Sequence, residues 1–387
     1  MKYRILWFII VIPMLTGCWM SNQLDSQNHH NSGKDLSPKE VEGPYLSSLN
    51  KEITVAAIGD LLIHSRVYDD AWNGENYDFT SMLEPVAEYL EQPTITMANQ
   101  ESIMGGEEIG LSNYPQFNSP FELADNIKKM GIDIVTMANN HTLDRGEQAI
   151  DNAIEHYEKI DMMYTGSFKS EADKEEIRVI ETTEGISVAF LSYTYGTNGI
   201  PVPNGKDYLV NMIDRKIIEK EVNKAQNSAD VTIVSYHFGQ EYQRTPNQEQ
   251  KDLAQFTADL GVDVIVGHHP HVLQPIEWLE GKDGNQTLVA YSLGNFLSGQ
   301  YELYRRIGGI LEFKVSKETK GESNIKIHSP SFLPTFVSFE RSGEMLSNIE
   351  VLPLKDVDDN QLSNASGYFE EMKKHLSQNV DHLKFIE

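Results

Sequence analysis

The stretch VIVGHHPHVLQPIEW, residues 264–278, runs from a β-branched apolar segment directly into three imidazoles. A short apolar run bounded by Gly and Pro reads as a buried strand. A buried strand that stops at His268, His269 and His271 stops at something polar. The pattern recurs outward from here. Apolar runs predict strands at Ile53–Ile58, Thr94–Ala98, Ile132–Ala138, Ser187–Tyr193, Val231–Tyr236, Asp263–Val266 and Thr287–Tyr291. Helical periodicity lies between them, at Ser81–Glu91, Phe121–Met130, Glu147–Ile160, Asp214–Gln226 and Gln248–Leu260. Such alternation predicts an α/β fold with helices layered on a mostly buried sheet. Residues 301–354 read as additional strands that complete the domain, and residues 355–387 as a polar linker with an amphipathic helix.

Most of these strands end in residues of ligand type: Gly59-Asp60, Asn99-Gln100-Glu101, Asn139-Asn140-His141, His237, the histidine cluster at 268–271, and Ser292-Leu293-Gly294-Asn295. In α/β sheets ligands bind outside the carboxyl ends of the strands, so residues scattered in sequence are predicted to meet in one site.

The types present suit a divalent metal. Pro270 pushes His269 toward extended backbone, in which positions i and i+2 face the same way, so His269 and His271 are predicted to reach one cation together. Neutral imidazole suits Zn²⁺, Mn²⁺ or Fe²⁺, and His268 is expected to support from behind. Asp60 is read as a ligand or as the N-cap of the next helix, with His64 on that helix's face. Asn99 and Glu101 share the i, i+2 spacing. Asn139, Asn140, His141 and Asp144 crowd a turn that needs only one such residue. Glu241 follows His237 closely.

The N-terminus points outside the cytoplasm. MKYRILWFIIVIPMLTGC carries Lys2 and Arg4, then an apolar run too short to span a bilayer comfortably. Residues 1–17 read as a lipoprotein signal peptide, and Leu15-Thr16-Gly17-Cys18 is similar to a bacterial lipobox. Cys18 would then carry the lipid, and residues 18–50 form a polar tether. It is the single cysteine of the 387 residues, so a mature chain would hold no disulfide. With 58 acidic against 32 basic residues the formal charge is −26, which argues against capture of nucleic acid. GIPVPNGKD, residues 199–207, lacks the spacing and the Ser or Thr of a phosphate loop. AYSLGNF, residues 290–296, has Ala290 where a nucleophile elbow needs glycine.

In their order, Gly59-Asp60, Asn99-x-Glu101-Ser102, Asn139-Asn140-His141-x-x-Asp144-x-Gly146, His237-Phe238-Gly239-x-Glu241-Tyr242, Gly267-His268-His269-Pro270-His271 and Ser292-Leu293-Gly294-Asn295-Phe296 resemble the CapA family, also called PgsA, of capsule or poly-γ-glutamate synthesis proteins. That family looks like a branch of the calcineurin-like metallophosphatases. The resemblance covers residues 51–300 and implies a four-layer α/β/β/α sandwich. It also implies lipid anchoring on the extracellular face of a Gram-positive cell membrane, beside membrane-embedded polymer synthesis proteins. Asp60, Asn140, His237 and the His269/His271 pair match metal-ligand slots, and His141 matches the general acid. The superfamily's Asp-x-His is here Asp60-Leu61-Leu62, and its bridging aspartate region reads Asn99-Gln100-Glu101. One metal, or two bridged by Glu101, fits these departures, and either His268 or His269 can fill the first slot of the last motif.

The function expected is a metal-dependent hydrolase or transferase serving poly-γ-glutamate or another cell-envelope polymer. Asp60, Glu101, Asn140, His237, His269 and His271 would hold the metal and His141 would move the proton. Asn99, Asp144, Glu241, His268 and Asn295 would support them or contact substrate. The alternative is a non-catalytic lipoprotein component of the polymer synthesis and export complex.

Overall fold

The computed structural model describes residues 51–318 and 324–387. Residues 1–50, read above as a signal peptide, Cys18 and a tether, therefore lie outside the described residues. Four strands come first: β1 (Lys51–Leu62), β2 (Ile95–Gln100), β3 (Ile134–Thr136) and β4 (Met163–Thr165). Six follow in a second sheet: β5 (Arg178–Glu181), β6 (Ser187–Thr194), β7 (Val231–His237), β8 (Val264–His268), β9 (Leu273–Glu280) and β10 (Gln286–Leu293). The chain then returns to the first sheet with β11 (Asn295–Ser298), β12 (Ile307–Glu318), β13 (Asn324–Ser342), β14 (Met345–Pro353) and β15 (Lys384–Phe385).

The first sheet runs β14-β13-β12-β1-β2-β3-β4, with β11 on β1 and β15 on β13; the second runs β5-β6-β7-β8-β10-β9. Each has a parallel centre, β1 to β4 and β6-β7-β8-β10.

Alternation of side chains along the strands builds the layers. In β1, Ile53, Val55 and Ala57 turn toward the second sheet, where they meet Val231 and Ile233 of β7 and Val264 and Val266 of β8. Ala56, Ile58 and Leu61 turn the other way, onto Leu123 and Ile127 of helix Glu122–Lys129 and Ile150 and Ile154 of helix Gly146–Lys159. Val234, Tyr236 and Ile265 face Ile218 and Val222 of helix Arg215–Gln226 and Leu253 of helix Gln248–Asp259. The result is helix, sheet, sheet, helix, the four-layer sandwich expected. The C-terminal helix, Ala365–Leu376, buries Phe369, Met372 and Leu376 in the apolar layer between the sheets.

The upstream rims of the parallel strands are fastened in a repeated way. The residue just before a strand bonds both backbone groups of its neighbour. Asp133 Oδ2 accepts from Thr96 N (2.8 Å) and its own N–H donates to Thr96 O (2.9 Å). Asp230 holds Ser187 likewise (3.0 and 3.1 Å), and Asp263 holds Thr232 (2.8 and 3.2 Å). Thr94 does the same for Thr54 through its hydroxyl (3.2 Å).

Three expectations are corrected. The helix at Ser81–Glu91 is broken into Thr80–Leu83, a 3₁₀ turn at Glu84–Val86 and Ala87–Glu91, because Pro85 has no N–H to continue the ladder. The strand at Ile132–Ala138 is only Ile134–Thr136, since the chain leaves the sheet to form the Asn139–Asp144 turn. Asp60 is no helix cap: it lies within β1, and the next helix starts at Ser65 with His64 as its N-cap residue.

Candidate metal centre

The downstream rims of both sheets supply the centre. Register sets Asp60 beside Asn99 on one side and Asn295 on the other, and His237 beside His268. The turn between β10 and β11 crosses from one sheet to the other, and Asp60 N–H donates to Gly294 O (2.8 Å). Gly59 permits that approach: a Cβ there would stand 2.1 Å from Gly294 O.

Asp60 is fully buried, and Asn99 Nδ2 (2.8 Å) and His268 Nδ1 (3.1 Å) both donate to its Oδ1. Its Oδ2 faces His271 Nδ1 at 3.2 Å, which also lies 3.0 Å from Asn295 Oδ1. Glu101, equally buried, stands between two imidazoles, Oε1 3.4 Å from His237 Nε2 and Oε2 3.6 Å from His271 Nδ1. His237 Nε2 is also 2.8 Å from Asn140 Oδ1. Three overlapping donor groups result, each with its atoms within 4.8 Å of one another: Asp60, Glu101 and His271; Glu101, His237 and His269; Glu241, His269 and His271. The first two share Glu101.

The donor set fits a divalent cation. Ligand bonds of about 2.0–2.2 Å in a tetrahedral site leave neighbouring donors about 3.4 Å apart, close to the separations given above. Both Glu101 oxygens, His268 Nε2 and His269 Nδ1 are buried without any hydrogen-bond partner, an arrangement that native interiors avoid unless something else completes it.

The charges agree. Burial opposes ionisation of Asp60, but the hydrogen bonds from His268 and His271 outweigh it and hold the carboxyl well below its ordinary range. Burial, with the Asp60 charge adding to it, pushes Glu101 up to about 8. Burial also drives His237 far down and His269 to about 2, keeping both neutral and able to ligate. His271 is lowered by burial, but the Glu101 and Asp60 carboxylates lift it to about 9.

Beside this cluster His141 Nδ1 donates to Asp144 Oδ2 (2.7 Å), which also accepts from Phe117 N (2.8 Å). Asp144 therefore fixes the ring through Nδ1. His64, driven by burial to about 3, packs edge-on against Phe117 at 5.3 Å and belongs to none of the donor groups.

His269 and His271 come together, but not by the extended alternation expected. Their φ angles are +96° and +58°, so the backbone coils tightly on both sides of Pro270. The geometry separates the two adjacent histidines: His269 faces Glu101 and His237, whereas His268 reaches the group only through Asp60. Two residues escape the sequence reading. Tyr195 lays its ring 4.7 Å from that of His269, and Asn198 Oδ1 accepts from Asn140 Nδ2 (3.2 Å). Both follow β6, a strand end with no histidine or acid to draw attention.

A model of the bacterial capsule synthesis protein family PGA_cap matches residues 54–300. The chain belongs to that family. It is 30% identical over 231 residues to the PGA biosynthesis protein CapA of Bacillus subtilis (strain 168), and 27% identical over 271 residues to the capsule biosynthesis protein CapA of Bacillus anthracis. Those alignments cover 57% and 67% of this chain, and the chain spans 60% and 63% of the two relatives. Among solved structures it is similar to the calcineurin-like phosphoesterase YfkN of B. subtilis, at 13% identity and a TM-score of 0.42, over 84% of this chain and 99% of that one.

Proposed function

We infer that the chain is a metal-dependent hydrolase or transferase acting on poly-γ-glutamate or a related cell-envelope polymer at the outer face of the membrane. The observation that carries this reading is the shared Glu101, whose two partnerless oxygens face different histidines inside one buried cluster. Asp60, Glu101 and His271 would hold one divalent cation, and Glu101, Asn140, His237 and His269 would hold a second; Mn²⁺, Zn²⁺ or Fe²⁺ suits the mixed oxygen and imidazole donors. A divalent cation bound there supplies Lewis acidity toward a phosphoryl or acyl oxygen.

The chain's own residues do the rest. Asn99 and His268 saturate Asp60 Oδ1 and so direct Oδ2 inward. Asn295 Oδ1 meets His271 at the same Nδ1 that faces Asp60 Oδ2. His141 exchanges a proton with the leaving group at Nε2, its ring set by Asp144. Glu241 lies at the exposed edge of the cluster, where substrate enters. The signal-like residues 1–17 and Cys18 support lipid anchoring, which would set the domain beside membrane-embedded synthesis proteins.

The test is metal content of the purified chain together with turnover of a model phosphodiester and a γ-glutamyl peptide. Expected are bound divalent metal and chelator-sensitive cleavage of one of them, abolished in Asp60→Asn. Metal bound with no cleavage of either would favour a non-catalytic role in the synthesis and export complex.

A further inference from the structure

A cavity of about 340 Å³ lies beside the centre, and Tyr195 belongs to both. Its backbone N–H donates to His237 O (3.0 Å), fixing the ring against His269, yet 47% of the residue stays exposed. The ring of Tyr195 therefore stands between the cavity and the centre. Phe238 and Leu253 give the cavity an apolar floor, and its rim carries one guanidinium, Arg215, and two carboxylates, Glu249 and Asp252. The floor is rigid. Gln250 Oε1 accepts from Asn247 N (3.0 Å) and its Nε2 donates to Gln274 Oε1 (2.8 Å). Gly239, at φ +97°, keeps the space clear, because a Cβ there would meet the Gln250 side chain at 2.6 Å.

We propose that this cavity is a substrate subsite for the free amino-acid end of a chain, with its carboxylate on Arg215, its ammonium on Glu249 and Asp252, and its methylenes on Phe238 and Leu253. A lone carboxylate would meet two like charges at this rim and a lone amine would meet Arg215, whereas a group carrying both signs satisfies all three. Such an end carries one charge of each sign, so at this rim neither is left facing only like charges. The volume stands at the low end of the ~300–1,000 Å³ of ligand pockets, which suits a terminal unit rather than a long polymer. The inference rests on the metal-dependent reading, because the next bond along the chain would then pass Tyr195 into the centre. It makes the protein specific for chain ends.

Calorimetric titration of the full chain with γ-glutamyl-glutamate, with and without Mn²⁺, tests this. Arg215 is exposed, so Arg215→Ala should keep its fold and its metal content. Expected is dipeptide binding that weakens about tenfold in Arg215→Ala and about tenfold when the dipeptide's amine is acetylated. Absent binding, or binding indifferent to both changes, overturns the subsite even where Mn²⁺ binds normally. Dipeptide binding that responds to both changes in a chain that takes up no metal keeps the subsite and overturns the centre.

Discussion

Replacing Glu101 by Gln separates what the centre costs from what it does. At pH 7.5 an unfolded chain ionises this carboxyl fully, while burial in the metal-free fold pushes it up to about 8 and keeps it mostly protonated. The penalty is 1.36 kcal/mol per unit of pH above the ordinary value of 4.5, or roughly 4 kcal/mol at pH 7.5. Glutamine escapes that penalty but buries an unsatisfied amide, at about 1–3 kcal/mol. Metal-free Glu101→Gln should therefore be more stable than the parent by about 1–3 kcal/mol. With Mn²⁺ or Zn²⁺ the order should reverse, because the parent gains RT ln(1 + [L]/Kd) and the variant has lost the bridging donor. Urea unfolding in chelator and in excess metal, followed by tryptophan fluorescence, reads both arms. A variant that is markedly less stable than the parent in chelator, or that takes up metal as the parent does, would refute the reasoning.

His141→Ala and Asp144→Asn should each lower turnover by about 10²–10⁴ while leaving metal content intact, as elemental analysis beside the rate assay would show. Gly59→Ala forces a Cβ to 2.1 Å from Gly294 O, so the melting temperature should fall by an amount equivalent to about 3 kcal/mol or more. Asp263 is raised by burial from 3.8 to about 6, so the folded state holds its proton longer than the unfolded one. Its contribution to stability is then greatest below pH 3.8, falls as pH rises to about 6 and levels off above it; Asp263→Asn should remove a slope worth about 3 kcal/mol in denaturant titrations across that window.

Much of the fold can be read from side-chain type alone. Val231–Tyr236 and Val264–Val266 alternate between two apolar layers, so each run is apolar throughout and its ends are marked by the first polar residues. Those ends give the centre, because strand termini at one rim must converge whatever the loops do. Local backbone is less legible. Nothing in His269-Pro270-His271 signals two left-handed histidines. The break at Pro85 was available from proline's missing donor but is masked by a continuous apolar period from Met82 to Leu90. Tyr195 and Asn198 carry neither charge nor metal-ligand character, and only the rule that every parallel strand of the set ends at the site would have found them.

The paired Asp and Thr fasteners at the upstream rim have a consequence for change over time. They hold strand to strand at the ends of the strands opposite the ligand loops, with bonds that do not involve those loops. Insertions and substitutions after β6 or β7 can accumulate without unzipping either sheet, so new specificities are open to a lineage at little risk to folding. Damage at Asp133, Asp230 or Asp263 would close that freedom, although none of the three comes near a substrate.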